Sequence, residues 1–74
     1  MISMNDLEAR IQNFRNAGDK LASGINSFDA PVGDEERQQK FDHFKKAAIA
    51  AIGEAETATD EFKDEVTAVA ALQG

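Results

Sequence analysis

The sequence predicts an all-α protein: an antiparallel helical hairpin with a long second helix, assembling as a homodimeric or higher helical bundle. Three observations lead there. Residues 4–28 carry their large apolar side chains at alternating intervals of three and four. A Pro- and Gly-containing break follows, and a second apolar series then runs on to the C-terminal end. Alternation of this kind is a 3.5-residue repeat, the mark of a narrow seam between helices packed as in a coiled coil.

In the first segment the series is Met4, Leu7, Ile11, Phe14, Leu21, Ile25 and Phe28, with Gly18 on the one vacant rung. Every large apolar residue between 4 and 28 is on it, which predicts a helix over about 4–28. Ser3 and Asp6 have the spacing of a capping box, and Ile2 and Leu7 that of a hydrophobic staple. Gly18 is expected to be a site of close helix approach, with an irregular stretch at 18–24 as the alternative.

Asp29-Ala30-Pro31-Val32-Gly33-Asp34 is the expected turn, 29–34. Proline lacks a backbone donor and holds the residue before it extended. Gly33 or Asp34 can cap a second helix, whose positive end suits Glu35 and Glu36. So short a connection makes the helices antiparallel neighbours.

A helix over about 35–72 is predicted from the second series: Phe41, Phe44, Ala48, Ile52, Ala55, Thr59, Phe62, Val66 and Val69. Gly53 and Thr57–Asp60 are its weak points. A break at 53–59, giving a three-helix bundle, is the alternative to one helix. The single-helix reading leaves residues 60–72 overhanging helix 1, with Phe62, Val66, Val69 and Leu72 on the overhang. Those four, with the flanking acids Glu56, Asp60 and Asp64, are the expected partner-binding surface.

Self-association is expected around Ala48, Ala51, Ile52 and Ala55, where small side chains let backbones approach. The charges agree with that expectation. Residues 37–46 hold Arg37, Lys40, Lys45 and Lys46 against Asp42, while residues 54–65 hold six acids against Lys63. An antiparallel pairing of the second helix with its own copy about Ala51 lays the basic block on the acidic one.

Composition excludes more than it assigns. A chain of 74 residues makes one domain, and without cysteine it has neither a disulfide nor a thiolate metal site. A core this small supplies roughly 3–5 kcal/mol, and oligomerisation is the staple left to it. The net charge of −6 disfavours nucleic acid and anionic membrane. Met1–Asp6 has neither the basic start nor the apolar run of a signal peptide. No 18 apolar residues run together, so a cytoplasmic setting, bacterial or viral, is expected.

No catalytic constellation is legible either. His43, the one histidine, lies between Asp42 and Phe44 with Lys40 three residues before it, which is no Glu-x-x-His metal motif. The glycines form no phosphate-binding loop. No enzyme activity, metal or cofactor is therefore expected. The expected function is that of a small helical interaction protein (adaptor, inhibitor or assembly component) that binds itself and a protein partner. A nucleic-acid-binding regulator using Arg37, Lys40, Lys45 and Lys46 is the alternative.

Overall fold

The computed structural model describes residues 2–29 and 33–73, and over these the protein is all-helical, two helices packed as a hairpin. Helix α1 spans Met4–Ser27 and α2 spans Glu35–Gln73. Ala30, Pro31 and Val32, the centre of the expected turn, lie outside the described residues.

Each helix start is capped as its sequence suggests. The Ser3 hydroxyl accepts from the Asp6 amide at 3.2 Å, and the Asp34 carboxylate accepts from the Arg37 amide at 2.7 Å. These side chains satisfy donors that the first helical turn leaves unpaired. At the far end of α1 the Lys45 ammonium donates to the Phe28 carbonyl at 2.8 Å. That places a cation at the negative end of the helix dipole, which carries no basic residue of its own in its last turn.

In α2 the Thr59 hydroxyl donates to the Glu56 carbonyl at 2.8 Å, and that of Thr67 to the Lys63 carbonyl at 2.9 Å. Thr59 thus bonds back into the preceding turn.

The register follows from a few contacts. The rings of Phe28 and Phe41 lie 5.9 Å apart, Gly18 faces Ile52 and Glu56, and Arg15 pairs with Asp60 at 3.0 Å. From Arg15, α1 runs eleven residues further to Met4, so its first turns lie alongside α2 beyond Asp60. This corrects the expected overhang at 60–72. The unaccompanied stretch of α2 is at its beginning, before Phe41, because the Phe28–Phe41 contact sets the end of α1 level with Phe41 and not with the start of α2. At the C-terminal end only the last residues, Leu72 among them, run past α1.

Candidate interaction surface

The seam on α1 consists of two columns, each with a step of seven residues, and the structure treats them differently. Met4, Ile11, Gly18 and Ile25 form the column turned to α2: Ile11 and Gly18 are buried, Met4 and Ile25 half-buried. Leu7, Phe14, Leu21 and Phe28 form the other. Leu7 is half-buried, but Phe14, Leu21 and Phe28 are exposed. One neighbouring helix can cover one column. Covering the second takes another helix.

Helix α2 shows the same division. Ile52, Thr59 and Val66 face α1 and are half-buried. Ala48, Ala55, Phe62 and Val69 repeat every seven residues beside them; the two alanines are half-buried, and Phe62 and Val69 exposed. Phe44 and Ala51 are exposed at the same edge, Phe44 at 67%. His43 is exposed too and meets the Phe44 ring edge-on at 5.4 Å.

The exposed columns of the two helices lie on one side of the hairpin. One groove is lined by Phe14, Ala17, Leu21, Ala51, Ile52 and Ala55. A second, sharing Leu21, is lined by Phe28, Phe41, Phe44 and Ala48. Phe62, Val66 and Val69 line a third further along α2. The result is an apolar side running nearly the length of the molecule.

The other side is polar. There Arg15 meets Asp60, and Glu56 lies against Gly18. Glu56 Oε1 is buried with no hydrogen-bond partner among the described residues. Its carboxyl is held above the usual carboxylate range, first by desolvation and then by the neighbouring Asp19 carboxylate, with Arg15 pulling the other way. A carboxyl whose pKa rises on folding binds more protons folded than unfolded. Its ionisation therefore costs stability as pH climbs from its ordinary 4.5 through the raised value, and acidification through that window restores it. Glu56→Gln is expected to raise the melting temperature at pH 7 and to flatten the gain on acidification. Melts between pH 4 and 8 check this; a lower melting temperature at pH 7 would mean that pairing with Arg15 outweighs desolvation.

The residues singled out from the sequence are thus sorted by side. Phe62 and Val69 are open on the apolar side, Leu72 is exposed near the C-terminal end, and Val66 is half-buried. Among the acids, Asp60 is paired with Arg15 and Glu56 is lodged against α1, so both are engaged within the chain, while Asp64 is exposed. Of the small-residue patch, Ala51 is exposed, Ala48 and Ala55 are half-buried at the edge, and Ile52 packs toward Gly18. Sequence reasoning passed over Phe14, Leu21 and Phe28 as surface residues, although their step of seven was visible.

Among the described residues no helix is long and apolar enough to cross a membrane, and no group of three or more His, Asp or Glu is placed to hold a metal ion. No family model matches the chain, and no curated protein or solved structure matches it either.

Proposed function

We propose that the protein is a non-enzymatic interaction component, an adaptor, inhibitor or assembly part, that works by docking the apolar side of its hairpin onto another helical surface. In this reading α2 is one continuous helix through Gly53 and forms half of the docking side. The observation that carries it is the coincidence of Phe14, Leu21, Phe28, Phe44, Phe62 and Val69 on one side of a two-helix unit, all of them exposed. Side chains of this size are worth about 1.5–3 kcal/mol each when fully buried. A surface that offers six of them along one line supplies binding energy wherever a complementary helix pair covers it.

The nucleic-acid alternative draws no comparable support. Lys45 is committed to the Phe28 carbonyl and the Phe41 ring, and Lys40 lies 3.9 Å from Glu36. The aromatic residues between them belong to the hairpin packing or to its apolar side, not to a positive groove of the kind that holds single strands.

The reading is tested with a photoreactive phenylalanine analogue in place of Phe62, and separately in place of Gln12 on α1, in cells expressing the full chain. Protein adducts are expected from position 62 and not from position 12. They should disappear when Phe14→Glu and Leu21→Glu are added while helix content is kept. No adduct of any kind from position 62 would overturn the reading.

A further inference from the structure

We propose that the occupant of the apolar side is a second copy of this chain, seated antiparallel about a two-fold axis that passes between the Leu21 pair and the Ala51 pair, so that two hairpins close a four-helix bundle. This rests on the docking reading above and names the partner for it.

A compact monomer of 8.0 kDa should expose about 4,450 Å² by the usual scaling of surface with mass. This chain exposes 5947 Å², about a third more. Its extents are 60 × 17 × 16 Å, so one side presents about 1,000 Å² in projection. A standard stable interface takes roughly 800 Å² per partner. Among the described residues, the single large apolar one that the hairpin buries is Ile11.

Leu21 and Ala51 line the same groove, and the Gly18–Ile52 and Lys45–Phe28 contacts put them at about one level of the hairpin. A two-fold axis at that level relates α1 to its copy about Leu21 and α2 to its copy about Ala51 at once. On α1, Phe14 and Phe28 are equidistant from Leu21, so each ring meets the other's counterpart. On α2, Phe44 and Ala58 are equidistant from Ala51, which sets a large side chain on a small one. Ala51 meets its own copy, with no side chain beyond Cβ to hold the backbones apart. Isologous packing needs a surface complementary to itself under one rotation.

Charge selects the register. Arg37 and Glu65 are also equidistant from Ala51, and both are exposed. The same rotation brings each onto the other's copy, and it brings Lys40 beside Glu61 and over the Phe62 ring. These pairs sit at the rim, where they set orientation more than strength. The reverse layering, α1 of one copy on α2 of the other, pairs neither Leu21 nor Ala51 with itself.

The test uses the full chain, whose lack of cysteine lets a single introduced thiol report one position. Ala51→Cys and, as the polar-side control, Gln12→Cys are prepared, and each is treated with a short bis-maleimide under native conditions. Covalent dimer is expected from the first at least tenfold faster than from the second, alongside a native mass of twice 8.0 kDa. A dimeric mass with no preference for position 51 would overturn the register. A monomer at all concentrations would overturn the second copy as the occupant. If the photoadducts from position 62 then carry another protein's mass, the docking reading still stands; if there are none, both fall.

Discussion

Ile11→Ala is expected to cost about 2–4 kcal/mol and to leave the isolated hairpin largely unfolded. Among the described residues Ile11 is the one buried large apolar side chain, at 8% exposure, and it sits in the column that holds α1 to α2. Truncating a buried isoleucine removes its transfer energy and leaves a cavity that its neighbours only partly fill, which together cost about 2–5 kcal/mol. A two-helix unit of this size has roughly 3–5 kcal/mol in all. The loss is thus comparable with the whole. Urea unfolding followed by circular dichroism measures it, and its protein-concentration dependence separates hairpin stability from assembly. A shift under about 0.5 kcal/mol would show that Ile11 is not at the centre of the core.

Gly18→Leu is expected to force the helices apart, whereas Gly18→Ala is expected to be nearly neutral. A Cβ at Gly18 would lie 2.5 Å from Glu56 Oε1 and 3.2 Å from Ile52 Cγ2. The first contact is with the end of a flexible side chain that gains by moving, since the displaced oxygen would reach water. The second asks Ile52 to yield by a few tenths of an ångström. Against that small strain, alanine gains about 1 kcal/mol of helix propensity over glycine. Leucine adds three more carbons in the space where Ile52 and Glu56 already pack, and overpacking of this kind costs about 1–3 kcal/mol. Equal melting temperatures for the two variants would mean that the helices do not approach closely at Gly18.

Much of this architecture is legible in the sequence. The ladder over Met4–Phe28 and the vacancy at Gly18 announce a seam with one close approach, and Ser3 and Asp34 announce caps. What the ladder cannot tell is how many neighbours each helix has. A 3-4 series contains two columns, and both read as core. In the hairpin one column of α1 packs on α2, and the other, from Phe14 to Phe28, is left open. The register was hidden for a different reason. It depends on the Arg15–Asp60 and Lys45–Phe28 contacts, which join residues far apart in sequence. The acids Glu56 and Asp60 look like part of a solvated charged block until those contacts place them against α1.

The open column also accounts for the weak apolar bias of α2. Its apolar residues are divided between the face on α1 and the edge that carries Phe44, Ala51, Phe62 and Val69, so no single stripe dominates. A helix with two apolar faces at an angle suits a bundle in which it touches two neighbours. In an isolated hairpin one of those faces is uncovered.

The most direct test of the account is the absolute mass of the native chain in solution, by light scattering behind a sizing column from micromolar to millimolar concentration. The account predicts twice 8.0 kDa over most of that range, falling to the single-chain mass when Leu21→Glu is introduced. A native chain that keeps its helix content at the mass of one chain throughout would contradict it.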